Sequence, residues 1–163
     1  MGNAPSVVSS AFYWTASGFT VYYFNGATGF TSPLWNGYPA VNMGNSSPTI
    51  PWLLSNGFAY NSDLQTDPNG DGVNLLMAYA LNLDPKQNLR GSMPRPSVTA
   101  QQVSLTFYAG RTDVTYAVES STDMKAWSTA GVTLSLPDAN KFRTATVATT
   151  GTRRFLRLRA SVP

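Results

Sequence analysis

The second half of the chain alternates apolar and polar residues, and this two-residue period limits the possible folds more than any other feature. From residue 97 onward, six such runs follow one another at a spacing of about 8–12 residues: VSLTFYA, DVTYAVESS, KAWSTA, VTLSLP, FRTATVA and RRFLRLRA. The pattern predicts antiparallel strands with one buried face. We therefore expect residues 91–163 to form an antiparallel β-sandwich of the immunoglobulin or fibronectin type. Val114, Tyr116 and Val118 should share one face, and Trp127 should lie in the core.

Residues 1–57 have a different pattern, rich in aromatic residues. FYWTASGFTVYYFNGATGF contains strand-like runs separated by SG and NG, which favour hairpin turns. SPLWNGYPA contains two prolines and a glycine, which favours a loop or an irregular edge, and SSPTIPWLLSNGF predicts a short helix. The chain is therefore expected to be mainly β. Its three parts are an aromatic β-rich part over 1–57, a loop with a helix and linker over 58–90, and the sandwich over 91–163.

The composition restricts the chemistry, because the chain has no cysteine and no histidine. Disulfides, thiolate or imidazole metal sites, and nucleophilic sites of the Ser-His-Asp or Cys-His type are therefore excluded. Charged residues make up 12% of the chain, about half the usual share, which is typical of an extracellular β-rich protein. We predict a secreted or cell-surface protein that is not an enzyme. A lyase that uses Tyr, Lys or Arg stays open as an alternative.

The net charge of +3 results from scarce acidic residues and not from a dense basic patch. Nucleic acid is not expected as a partner, because phosphate binding requires clustered Lys and Arg. No apolar run reaches the ~20 residues of a membrane span. The one basic cluster is RRFLRLR, in which Arg157 and Arg159 should lie on the face opposite Leu156 and Leu158. This predicts a strand with a solvated charged face, and binding of an acidic polysaccharide or a phosphate is the alternative.

The segment from Asp67 to Pro85, DPNGDGVNLLMAYALNLDP, has the spacing of a calcium loop. Such a loop takes oxygen ligands from positions 1, 3, 5 and 7, turns at a glycine in position 6, and is completed by a bidentate carboxylate at position 12. The corresponding candidate ligands are Asp67, Asn69, Asp71 and the carbonyl of Val73, while position 12 is Ala78. The missing carboxylate predicts weak calcium binding. A metal-free turn held by its own side chains is the alternative.

The residues that follow the loop predict a helix over 73–82. Apolar residues recur at helical spacing, and Asp84-Pro85 ends the pattern. Leu76, Tyr79 and Leu83 should be buried, and Asn74 should be exposed.

DPNGDGVNLLMAYALNLDP, DVTYAVESSTDMKAW and RRFLRLRA together resemble the C-terminal module of large secreted bacterial surface proteins. Such proteins are often autotransporter-like or polysaccharide-degrading. In that module a loop similar to dockerin and thrombospondin type 3 calcium loops precedes a small β-sandwich. The resemblance covers about residues 58–163, and Asn74, Leu75 and Ala78 depart from the Ser, Asn and Glu of its pattern. It implies a non-catalytic structural or surface-display module, with a parent polypeptide or a cell-surface matrix as its partner.

A second hypothesis is a carbohydrate-binding module. The first third of the chain is crowded with aromatic residues, and exposed rings can stack on the faces of sugars. The candidate contact residues are Trp14, Trp35 and Tyr38, with a polysaccharide as the partner. Aromatic residues that fill a small core are the alternative. Self-association through exposed sheet edges is also possible in a chain so rich in strands.

Overall fold

Contacts divide the chain into two units, Met1–Ile50 and Pro51–Pro163. The computed structural model describes residues 2–8, 11–149 and 153–163. The division between the units lies within helix α1 (Thr49–Ser55). The sequence predicts three parts. The second and third of these, the loop-and-helix segment 58–90 and the sandwich segment 91–163, belong to the same unit. Among the described residues, no helix has the length and apolar character needed to cross a membrane.

The N-terminal unit contains a three-stranded sheet in the order β1-β3-β2. The strands are β1 (Val21–Tyr23), β2 (Leu34–Trp35) and β3 (Tyr38–Asn42). Strand β3 pairs in parallel with β1 and antiparallel with β2. The segment SPLWNGYPA, for which the sequence favours a loop or an irregular edge, therefore forms a hairpin that includes the edge strand β2. Its turn is Asn36-Gly37, where both residues have positive φ (49° and 82°), as a tight two-residue turn requires.

Helix α2 (Leu75–Ala80) follows the predicted calcium loop and is shorter than the predicted 73–82. It begins after Asn74, because the Asn74 side chain accepts a hydrogen bond from the N–H of Met77 (2.9 Å) as an N-cap. It ends because Asn82 turns into the left-handed region (φ 56°), after which the N–H of Leu83 donates to the carbonyl of Ala78 (2.9 Å). The cap leaves Asn74 half-buried instead of exposed.

The burial of α2 agrees with most of the prediction. Leu76 and Tyr79 are buried, as expected, and Leu83 is half-buried. The Tyr79 hydroxyl donates to a carboxylate oxygen of Asp113 (2.7 Å), and the guanidinium of Arg111 lies over the Tyr79 ring, 4.4 Å from its centroid. The burial of Tyr79 raises the pKa of its hydroxyl well above the ordinary value, and the bond to Asp113 adds to this effect.

The predicted antiparallel β-sandwich is confirmed. One sheet has the order β4-β5-β8-β7 and the other pairs β6 with β9. The strands are β4 (Ser97–Val98), β5 (Gln102–Tyr108), β6 (Thr115–Ser121), β7 (Thr133–Leu134), β8 (Phe142–Ala148) and β9 (Phe155–Ser161). Leu105 and Phe107 of β5 pack with Val118 of β6 and Ala145 of β8, so the two sheets share one core. Leu81, which follows α2, closes the same cluster.

Trp127 does not lie in the core, which corrects the prediction. The run KAWSTA forms only an isolated bridge between Ser128 and Ser120. Trp127 is half-buried at the surface, and the guanidinium of Arg157 lies 4.3 Å from its ring centroid. The cation–π contact with Arg157 covers one face of the Trp127 ring at the surface, so the ring is stabilised without being buried in the core.

Candidate functional site

The carboxylate of Asp67 organises the turn of the predicted calcium loop. Its Oδ1 accepts hydrogen bonds from the N–H groups of Gly70 (3.0 Å) and Asp71 (3.3 Å), and its Oδ2 accepts one from Gly72 (2.7 Å). Gly70 and Gly72 both have positive φ (69° and 88°), a conformation that glycine adopts without steric cost. The chain therefore curls around this one anionic group.

Asn69 connects the loop to the segment that follows α2. Its Oδ1 accepts a hydrogen bond from the N–H of Asp71 (3.1 Å). Its amide nitrogen donates to the carbonyls of Gln87 (2.7 Å) and Pro85 (3.2 Å) and lies 3.3 Å from a carboxylate oxygen of Asp71. One side chain thus satisfies polar groups on both sides of the helix.

Asp71 is the buried centre of this arrangement, with only 5% of its surface exposed. Its Oδ1 accepts a hydrogen bond from the N–H of Val73 (2.8 Å) and its Oδ2 accepts one from the N–H of Leu89 (2.5 Å). The side chain of Arg90 donates to the Asp71 carbonyl (3.1 Å). The pKa of the Asp71 carboxyl is lowered, chiefly by the Leu89 N–H and further by Val73, Asn69 and Arg90, against the opposing effect of desolvation.

The four predicted ligands do not all point to the same place. The Oδ1 atoms of Asp67 and Asn69 converge on one donor, the N–H of Asp71. The Asp71 carboxylate points instead to the N–H groups of Val73 and Leu89. In the described part of the chain, no three His, Cys, Asp or Glu residues are grouped so that they could hold a metal. A cation at this loop would thus depend on Asp67, Asn69 and main-chain carbonyls.

The acceptor capacity of the loop is only partly used. A carboxylate offers about four acceptor positions, and Asp67 receives three N–H groups. The Asn69 Oδ1 offers about two and receives one. Acceptor capacity therefore remains on the oxygens of Asp67 and Asn69, and oxygen atoms of this kind are the preferred ligands of a hard cation such as calcium.

Ala78, at position 12 of the loop, lies in an apolar environment. It is buried (1% exposed) in a cluster with Val73 and Leu89. A glutamate in its place would bring a carboxylate among these side chains. The environment of Ala78 is therefore that of a packing residue, although it faces the loop.

The three aromatic residues predicted to contact sugar have different environments. Trp14 is 93% exposed, and its neighbour Tyr13 contacts it edge to face with ring centroids 5.5 Å apart. Trp35 is 5% exposed, and its indole N–H donates to the carbonyl of Gly29 (2.8 Å), so its ring has no open face for a sugar. Tyr38 is half-buried and contacts the ring of Phe12. Only Trp14 is placed for stacking.

A charged cluster on β6 and β9 was not predicted as a unit. Glu119 accepts from Arg157 (2.7 Å) and lies 3.3 Å from a guanidinium nitrogen of Arg159. The pKa of the Glu119 carboxyl is lowered, first by its hydrogen bond to Arg157. The sequence does place both arginines on the polar face of a strand, as expected. The position of Glu119 beside them depends on the register of β6 against β9, which a single sequence does not reveal.

The lowered pKa of Asp71 gives a test of its role. Its folded-state pKa lies below the unfolded value of about 3.9, so its stabilising effect is complete above that pH and is lost as the pH falls through the folded pKa. Asp71→Asn removes this titration, and an amide nitrogen would then oppose the Leu89 N–H. We expect a lower free energy of unfolding at neutral pH and a smaller decrease of this free energy toward acidic pH. Both are measured by urea unfolding over this pH range. An acid decline equal to that of the wild type would contradict the role given to Asp71.

Comparisons of the chain with models of protein families, with curated proteins and with solved structures each gave no match. The resemblance to the C-terminal module of secreted surface proteins therefore stays a prediction made from the sequence motifs. The positions of the described side chains provide the further basis for a functional proposal.

Proposed function

We propose that this chain is a non-catalytic structural or surface-display module of a larger exported protein. The observation that carries this proposal is how the loop uses its polar side chains. Asp67, Asn69 and Asp71 direct their hydrogen-bonding groups at the main chain of the loop and of residues 85–89. A group that stabilises the main chain in this way contributes to the fold, whereas a catalytic group must reach a substrate.

The sequence supports an exported location for this module. The composition has few charged residues and lacks cysteine and histidine, and the loop resembles those of secreted bacterial surface proteins. The proposed partners are the parent polypeptide or a cell-surface matrix. On intact source cells, an antibody against the chain should label the surface, and treatment with external protease should remove the label. Label that appears only after the cells are broken open would contradict the proposal.

Weak calcium binding at the loop is part of this proposal. Lone pairs remain on Asp67 and Asn69, and Asp67 is the one carboxylate of the predicted ligand set that is not directed at Val73 and Leu89. The carboxylate at position 12 is replaced by Ala78. A site with so few charged ligands belongs to the weak extracellular class, with a dissociation constant of about 10⁻⁴–10⁻³ M.

Calcium at about 10 mM should therefore raise the free energy of unfolding by roughly 1.4 kcal/mol if the dissociation constant is about 1 mM. Asp67→Asn should lose most of this gain, because it removes a formal charge and changes the acceptor that faces the cation. The measurement is the melting temperature of each variant with and without calcium.

Asp123→Asn is the matched control. Asp123 likewise accepts main-chain N–H groups in a turn, from Lys125 (2.8 Å) and Ala126 (3.0 Å), but it is not part of the predicted loop. Its variant should keep the full response to calcium. An equal response in wild type and Asp67→Asn, or none in wild type at millimolar calcium, would remove calcium from the proposal.

Polysaccharide binding is the second candidate function, and the exposure of Trp14 favours it. A ring that is 93% exposed beside Tyr13, itself 71% exposed, forms an apolar surface that a sugar face can cover. The two rings are inclined by 77°, so they do not form a flat platform. This candidate therefore rests on one stacking residue.

Trp14→Ala should abolish retention on an insoluble polysaccharide and leave the melting temperature nearly unchanged. Trp35→Ala is the contrasting variant, because loss of a buried tryptophan costs about 3–5 kcal/mol. Affinity electrophoresis and thermal melting of both variants separate the two roles. A chain that is not retained by any polysaccharide, or is retained equally with Trp14→Ala, would contradict sugar binding through this residue.

A further inference from the structure

Strand β9 forms one side of the smaller sheet and pairs only with β6 in the part of the chain that the structure describes. By contrast, the larger sheet ends in β4 and β7, which have two residues each. Short edge strands offer little main chain for another strand to pair with. The seven residues of β9, Phe155–Ser161, make a much longer edge.

The hydrogen bonds of β6 show which groups of β9 point outward. Ser120 of β6 exchanges two main-chain hydrogen bonds with Ser128 (2.8 and 3.1 Å), so its N–H and carbonyl point away from β9. Opposite residues in an antiparallel pair alternate between bonded and non-bonded pairs. Leu156 lies opposite Ser120 and is therefore in a non-bonded pair. By the same alternation, the main-chain groups of Leu158 and Ala160 also point away from β6.

These outward groups have no main-chain partner among residues 2–8, 11–149 and 153–163. Beside them lies a groove of about 440 Å³. Five consecutive residues, 158–162, line one side of the groove. The first four of these belong to β9, and consecutive residues of a strand alternate between its faces. A groove that contacts all four therefore follows the edge of the strand. The other side consists of Gln65 and the start of α2, with Asn74, Leu76 and Met77.

We infer that the outer edge of β9 is a docking site for an extended peptide of a partner protein, which would pair antiparallel with β9 as a third strand. Main-chain hydrogen bonds to Leu156, Leu158 and Ala160 would hold it, as in other cases of strand addition. The groove beside Leu158 and Ala160 would accept small apolar side chains from the same peptide. The inference does not depend on calcium at the loop or on the display function.

The charges on β9 specify the chemistry of the partner. Arg157 and Arg159 have 43% and 65% of their side chains exposed, and they share the single carboxylate of Glu119. This face therefore carries a net positive charge of one, from two arginines and one glutamate. A peptide with acidic residues opposite the arginines and apolar residues between them complements both charge and groove.

The same charges disfavour pairing of β9 with a second copy of itself. In the symmetric antiparallel register centred on Leu158, Arg157 faces the Arg159 of the other copy. A register centred on Arg157 or on Arg159 places that central arginine opposite its own equivalent. Like charges directly opposite each other destabilise a sheet. A heterologous acidic strand is therefore the favoured occupant.

The test uses a fluorescent peptide of alternating valine and glutamate, about nine residues long, slightly longer than a typical strand. Its binding to the full chain is followed by fluorescence anisotropy and by amide hydrogen exchange in NMR spectra. In the free chain, the amides of Leu156, Leu158 and Ala160 should exchange faster than those of the intervening residues. The peptide should slow these three selectively.

Two control peptides test the two parts of the inference. Lysine in place of glutamate should weaken binding by roughly tenfold, since each exposed charge pair contributes up to about a fivefold effect. Methylation of the valine nitrogens should abolish binding, because it removes the N–H groups that face β9. Equal binding of either control, or absence of binding by the valine–glutamate peptide at millimolar concentration, would overturn the inference.

Variants of the chain complete the test. Ala160→Pro removes one outward N–H without breaking a bond to β6, and proline is tolerated at such edge positions. It should lose binding, whereas the matched variant Ala160→Ser should keep it. If Ala160→Pro fails to fold, the amide exchange rates of the wild-type chain, measured with and without the peptide, test the inference instead. Protection of Arg157 and Arg159 instead of Leu158 and Ala160 would contradict the assigned edge, and a dimer of the free chain in sedimentation would overturn the choice of occupant.

Discussion

The buried carboxylate of Asp71 is the interaction on which the arrangement of the larger unit depends. A charged group with 5% exposure must be hydrogen-bonded to remain in the interior. Its partners come from both sides of α2, with the N–H of Val73 before the helix and the N–H of Leu89 after it. The chain must therefore return to the loop after the helix. This return brings Leu89 against Val73 and Ala78 and positions α2 for the contacts of Tyr79 with the sandwich.

The sandwich has two sheets of unequal width, and its exposed surface follows from this asymmetry. The four-stranded sheet ends in strands of two residues, which offer little edge. The two-stranded sheet pairs its seven residues of β9 with β6 and leaves the opposite side of β9 unpaired in the described part of the chain. Arg157 and Arg159 give that strand a polar outer face, while Leu156 and Leu158 pack on the core. One strand thus contributes to the core through its leucines and exposes its arginines on the opposite face.

Several local features could be predicted because they depend on neighbouring residues. Strands β5, β6, β8 and β9 follow the two-residue period, and Leu76 and Tyr79 follow the helical one. The predictions failed where a single side chain changed the local geometry. Asn74 caps α2 and Asn82 ends it, so the helix is shorter than its apolar pattern. The hairpin turn at Asn36-Gly37 forms despite the nearby prolines. Pro33 precedes the edge strand β2, and Pro39 lies in the central strand β3 opposite Leu34, before the residues of β3 that pair with β1.

The sequence alone determined the available chemistry. It shows the absence of histidine and cysteine, and it gives the spacing of Asp67, Asn69 and Asp71. Only the tertiary structure decided which of these groups meet. The Asp71 carboxylate accepts a hydrogen bond from Leu89, 18 residues away in the chain, while the Oδ1 atoms of Asp67 and Asn69 converge on the N–H of Asp71. The tertiary structure also distinguishes Trp14 from Trp35. Both have aromatic neighbours in the sequence, but Trp14 is exposed to solvent and Trp35 is buried. The physical reason is that the period of a segment sets the face on which a side chain lies, whereas the pairing of distant segments sets what that face contacts.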